Sequence, residues 1–237
     1  RLNGFVSLQP DRGYLDIDNG EFEINFKSMF DSSWTFDSGR GRLAYRVDEG
    51  SVTVRSGLIK LLDGDLSASG KLLINLTPLR ELDTWGLTMG VKDVDLLAAN
   101  AFVPNSIPEN LRSWVKSAVK GGRSNEAGVT VHGGLFRGSP AVRKAHDVYL
   151  KVENTEIEYH PEWPIATDLT ATIHIDNHHM FINDATGKVY SSDVSDINVF
   201  AVIPDSGRAD LVMVSATLSG PFEDAIRVLK ETPLAET

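Results

Sequence analysis

Cysteine is absent from all 237 residues, which excludes disulfides, thiolate chemistry and cysteine-based zinc sites. That absence does not identify a compartment. Long apolar runs are absent as well: none approaches the roughly 20 residues that cross a bilayer as a helix, and no stretch reads as a signal peptide. Positive charge is scarce, with 23 Lys/Arg against 33 Asp/Glu, and a net charge of −10 argues against a general nucleic-acid binder. What remains is globular in composition, 41% hydrophobic and 24% charged, and long enough for one large β domain or two smaller units. Arg1 followed by the strand-like LNGFVSLQ leads us to expect a piece of a longer protein, with any targeting segment outside it.

Most of the chain alternates with period two, the mark of half-buried strands. Tyr14–Asp18 alternates, Asn19-Gly20 is a two-residue hairpin signal, and Glu21–Phe26 follows with Phe22, Ile24 and Phe26 on one face. Residues 28–41 read as a loop holding Phe30, Trp34 and Phe36. Strands resume at Arg42–Val47, turn at Asp48-Glu49-Gly50 and continue through Ser51–Arg55. Leu58–Leu62, Leu66–Ala68 and Lys71–Leu76 read as short strands separated by Gly64 and Gly70, and Leu87, Met89 and Val91 as another. Asp93 reads as the N-cap of a short helix through Leu96 and Leu97 to about Phe102.

The best-signalled element lies after Pro104. Ser106 and Glu109 are spaced as a capping box, Pro108 falls in the first turn, and Leu111, Trp114, Val115 and Ala118 form an apolar stripe. Residues 107–120 therefore predict a helix of roughly 21 Å, stopped by Gly121-Gly122. Around it, residues 107–144 carry seven basic side chains (Arg112, Lys116, Lys120, Arg123, Arg137, Arg143, Lys144) against Glu109 and Glu126. The plain reading of this local excess is a solvated helix face.

Strands resume at Gly128–His132 and Val148–Val152, then Thr155–Tyr159, a corner at His160–Pro164, Leu169–Asp176, a turn at Asn177-His178, and Met180–Asn183. Val189–Tyr190, Ile197–Val202 and Ala209–Leu218 complete the strands. A last helix starts at Ser219, with the stripe Phe222, Ile226 and Leu229, and ends at Pro233. The halves share a pattern: Glu23–Phe26 aligns with Glu156–Tyr159, each is followed by a tryptophan corner (Trp34, Trp163), and each corner precedes a hairpin, LAYRV-turn-SVTV or ATIHI-turn-MFIN. The expected organisation is a first β unit over 1–104, a helical junction over 105–122 and a second β unit over 123–237.

Catalytic signatures are weak. Asp16/Asp18 and Asp93/Asp95 are D-x-D pairs, which could place two carboxylates on one strand face for a metal or for acid–base work. Their plain reading is a polar face or a helix N-terminus. His174, His178 and His179 sit near Asp176 without a zinc-ligand spacing. No G-x-S-x-G elbow or phosphate loop occurs, and we expect neither an enzyme nor a cofactor nor a metal. Apolar stripes are what remain: Phe22, Ile24, Phe26, Leu43, Tyr45, Val47, Val52, Val54, Ile157, Tyr159, Ile173, Ile175 and Phe181. They could fill a closed sandwich core or line an open groove, and periodicity does not choose between the two.

The run Ile107-Pro108-Glu109-Asn110-Leu111-Arg112-Ser113-Trp114-Val115-Lys116-Ser117-Ala118-Val119-Lys120-Gly121-Gly122-Arg123, then Gly128–Gly133, Tyr159–Pro164 with Leu169, and Leu229–Leu234, resembles the centre of the YhdP family of AsmA-like proteins. The resemblance covers nearly the whole chain. One departure is Arg137-Gly138-Ser139-Pro140, where the family carries Phe-Pro. The resemblance implies a fold that is mainly β: tandem curved antiparallel sheets forming an open apolar groove, with a few short amphipathic helices. It further implies a non-catalytic, periplasmic segment of a bridge-like lipid transporter in Gram-negative bacteria, moving phospholipid toward the outer membrane and supporting its permeability barrier. The implied partners are phospholipids, the rest of a long chain with an inner-membrane anchor, and other envelope proteins. The stripe residues above would line the groove, and Leu111, Trp114, Val115 and Ala118 would belong to the junction helix. An envelope scaffold with a filled core and a carbohydrate-active envelope protein are the alternatives.

Overall fold

The computed structural model describes residues 3–25, 30–105, 107–136, 144–204 and 206–236. The protein is mainly β. The strands, in chain order, are β1 (Gly4–Leu8), β2 (Arg12–Asn19), β3 (Phe22–Ile24), β4 (Trp34–Phe36), β5 (Ser38–Asp48), β6 (Ser51–Ser56), β7 (Ile59–Asp63), β8 (Leu66–Leu76), β9 (Thr84–Asp95), β10 (Val119–Gly134), β11 (Ala145–Ile157), β12 (Ala166–Asp176), β13 (His179–Val189), β14 (Ser192–Val202) and β15 (Leu211–Ser219). Among the described residues three short α-helices accompany them, α1 (Leu96–Ala99), α2 (Glu109–Ala118) and α3 (Phe222–Glu231), with single turns of 3-10 helix at Arg80–Leu82, Asn100–Phe102 and Pro233–Glu236. Two compact units result: unit 1 comprises 1–25, 33–92 and 127–148, and unit 2 comprises 26–32, 93–126 and 149–237. Strands β9, β10 and β11 each contribute residues to both, and residues 105–122 fall in unit 2.

In unit 1 the strands neighbour one another in the order β1-β2-β5-β6-β8-β9-β10-β11, with β7 bridging β5 and β8. The β5–β6 turn is the expected hairpin, with Glu49 at φ 48° and Gly50 at φ 81°, the left-handed pair that a two-residue turn needs. The Asn19-Gly20 hairpin does not form. β2 is already paired on both edges, by β1 and β5, so β3 turns away and pairs with β4 instead. Asn19 is buried and accepts the Asn3 N–H at 2.5 Å. The residues read as a loop after position 28 thus include β4, where Phe36 stacks on Phe22 with ring centroids 5.6 Å apart. β8 runs unbroken through Gly70.

In unit 2 the order is β9-β10-β11-β12-β13-β14-β15. Hairpin β12–β13 forms at Asn177-His178 as expected, with Ile175 opposite Met180. Helix α2 is shorter than the spacing predicts and leads directly into β10, so Gly121-Gly122 is not a helix stop but lies inside a strand. Gly122 is there for two other reasons. Its φ is +128°, and a Cβ on it would come within 2.5 Å of Thr155 Oγ1 and 2.7 Å of Thr155 Cα. The N-cap of α1 is Asp95, not Asp93: its carboxylate accepts the Leu97 and Ala98 N–H groups at 2.9 and 3.0 Å. Ser106, and with it the capping box, lies outside the described residues, and Glu109 instead accepts from Arg112 and from Ser113 Oγ.

The predicted stripe of the last helix is not buried. Phe222 is 75% and Leu229 57% exposed, while Ile226 is partly covered. α3 is held by polar contacts. Asp224, buried, accepts from Ser191 N–H (3.0 Å), Ser191 Oγ (2.7 Å) and Ser192 Oγ (2.8 Å). Glu231 accepts the Tyr190 hydroxyl, and the Arg227 guanidinium stands 3.7 Å over the Tyr190 ring.

Large side chains are seldom enclosed. Among the described residues nine hydrophobic side chains are fully buried, and five of them are alanines. Unit 1 holds two of the nine, Phe36 and Ala68. Unit 2 has a filled cluster in which Leu96 of α1, Val152, Ala171 and Ala185 pack with Val119, Leu150, Leu169, Ile173, Ile182 and Ile197.

Candidate functional site: an apolar sheet face

Residues directly opposite across antiparallel strands point to the same face, so the registers of unit 1 sort its side chains. Leu15 faces Leu43, Tyr45 faces Val54, and Val47 faces Val52. Val54 and Val52 then face Ile74 and Leu76 on β8, and Leu72, Ile74 and Ala68 face Leu87, Trp85 and Val91 on β9. This face is apolar across six strands, β1 included, where Val6 stands opposite Leu15. Of these residues only Ala68 is fully buried.

The other face of the same strands is polar. Arg42 sits opposite Asp16 and grips it with two hydrogen bonds of 2.5 and 2.7 Å, its guanidinium 4.3 Å over the Tyr14 ring. That hydrogen bond holds the Asp16 carboxyl below the usual carboxylate range. Arg46 pairs with Asp48 at 3.8 Å, and Arg55, Thr53, Asn75, Lys71, Thr88 and Lys92 lie on the same face, with the exposed Phe5 and Leu73 as apolar exceptions. Asp16, half of one D-x-D pair, is therefore an ion-pair partner. Of the other pair, Asp93 pairs with Arg123 at 3.6 Å and Asp95 caps α1.

Of the thirteen stripe residues, the structure brings six together in unit 1. Leu43, Tyr45, Val47, Val52 and Val54 share the apolar face, and Phe22 packs over Gly39, which lies on the same face of β5. Ile24 pairs with Trp34 in the β3–β4 hairpin, and Phe26 lies outside the described residues. In unit 2, Ile173 and Ile175 face Ile182 and Met180. Phe181 does not join them: it stands opposite His174 and Phe200, on the reverse face, its ring 5.2 Å from that of Phe200. Ile157 ends β11 half-buried, and Tyr159 lies beyond it, beside Trp163 at 6.3 Å. Residues absent from the expected set are Leu15, Leu72, Ile74, Leu76, Trp85, Leu87, Met89 and Val91. Their alternation was available in the sequence, though Leu73 interrupts it within β8.

The junction-helix residues behave unequally. Ala118 is buried, Leu111 and Val115 are partly covered, and Trp114 is 42% exposed with its indole N–H donating to the Tyr159 carbonyl at 3.1 Å. The basic excess is neutralised locally. Arg112 and Lys116 both reach Asp31, at 3.1 and 3.2 Å, and Lys120 reaches Glu158 at 2.7 Å. The Lys116 hydrogen bond, with Arg112 beside it, holds the Asp31 carboxyl low. Arg137, Arg143 and the Arg137–Pro140 departure lie outside the described residues.

Chemically, the face offers dispersion and water exclusion. The carboxylates with displaced pKa values, Asp16, Asp31, Glu109, Asp224 and Glu231, are all shifted downward by cations or hydroxyl donors. They are ionised hydrogen-bond acceptors, the reverse of the raised pKa of a general acid. Among the described residues no group of three or more His, Asp and Glu is arranged to hold a metal ion, and no helix is long and apolar enough to cross a membrane. A family model described as "YhdP protein" matches residues 1–237. No curated protein and no solved structure matches the chain.

Proposed function

This chain belongs to the YhdP family of AsmA-like envelope proteins, and we propose that it is a non-catalytic periplasmic segment of a bridge-like lipid transporter, conducting phospholipid acyl chains along its apolar sheet face. The observation that carries this reading is the pair of unlike faces in unit 1: apolar side chains on one side with almost none fully buried, and ion pairs on the other. A face of this kind accepts alkyl chains, because each methylene moved from water onto it contributes about 0.8 kcal/mol and no specific contact fixes its position. The chain can therefore be held and still slide. The polar face remains solvated.

An envelope scaffold is the second reading, and the filled cluster around Leu96 in unit 2 favours it. Native mass spectrometry with lipid extraction of the purified protein separates the two: a conduit carries phospholipid, a scaffold does not. In the intact protein, Leu43→Asp places a charge on the apolar face of unit 1, and we expect it to lower lipid transport to the outer membrane. Normal transport in this variant would overturn the conduit reading.

A further inference from the structure

We draw no further inference here: the strongest candidate, the surface patch on the reverse face of unit 2 where Phe181, Phe200 and His179 cluster beside the exposed Met213 of β15, is an unpartnered apolar face, and nothing in the structure shows what covers it.

Discussion

Two leucine-to-alanine substitutions should differ severalfold in their effect if the apolar face of unit 1 is uncovered. Leu96 is 7% exposed and enclosed by Val152, Ala171 and Ala185. Leu96→Ala removes three carbons from an enclosed site and leaves a void, so both the transfer and cavity terms apply, about 3–5 kcal/mol together. Leu43 is only partly covered and borders a cavity that already exists. Leu43→Ala leaves no new enclosed void. Three carbons at about 0.8 kcal/mol each give an upper bound near 2.4 kcal/mol for full burial, and partial exposure brings this to about 1 kcal/mol. Urea denaturation of lipid-free protein measures both, with hydrogen exchange on β5 and β12 peptides reporting each unit separately in case unfolding is not two-state. Adding an alkyl ligand should then raise the cost of Leu43→Ala, because the ligand supplies the covering layer, and leave Leu96→Ala unchanged. Equal costs in the lipid-free protein would mean that Leu43 is already enclosed, and the uncovered-face argument would fail.

Gly122→Val should destabilise unit 2 by about 3 kcal/mol or more, since the new side chain meets Thr155 and the left-handed φ is lost to it. Gly121→Ala, with nothing within 4 Å, should stay within about 0.5 kcal/mol in the same thermal melts. Docking of α3 should depend on pH through Asp224. Hydrogen bonds from Ser191 and Ser192 depress its folded pKa, so its contribution is complete above the ordinary aspartate value of about 3.9 and is lost as pH falls through the lower folded value. Amide exchange of Phe222–Glu231 should accelerate across that window in wild type, whereas Asp224→Asn should be less protected at neutral pH and show no such step.

Local signals in the sequence were reliable where the structure is local. The hairpins at Asp48–Gly50 and Asn177-His178 form where their turn residues stand, and α2 carries its stripe, because neighbours in sequence decide these features. Partner choice is not local. Asn19-Gly20 is a good hairpin dipeptide, yet β2 has one edge occupied by β1, which precedes it, and the other by β5, more distant in the chain. Gly121-Gly122 fits a helix stop equally well, and only the approach of Thr155 reveals why glycine is needed. Phe181 shows the register problem directly. Met180, Phe181 and Ile182 are consecutive and apolar, so no alternation marks which of them faces Ile173. Register assigns Met180 and Ile182 to the face of Ile173 and Ile175, and Phe181 to that of His174.

The choice between a filled core and a lipid route turns on what a sheet does with its largest apolar side chains. A scaffold needs only closure, and unit 2 shows how this sequence achieves it, with Leu96 of α1 set into a cluster of valine and alanine. Unit 1 could close its face by the simplest means available, a tyrosine standing off the strand. The structure does the reverse. Glycine occupies the position beneath the ring, and the Gln9 carbonyl takes the hydroxyl. The ring lies over Gly13, and Leu15, Leu43, Val52 and Val54 border an open hollow beside it. An open apolar hollow gains little for stability, since its lining lacks contact atoms on the open side. It does provide a place where a hydrocarbon chain meets no donor, acceptor or charge, and that is the condition a sliding acyl chain requires.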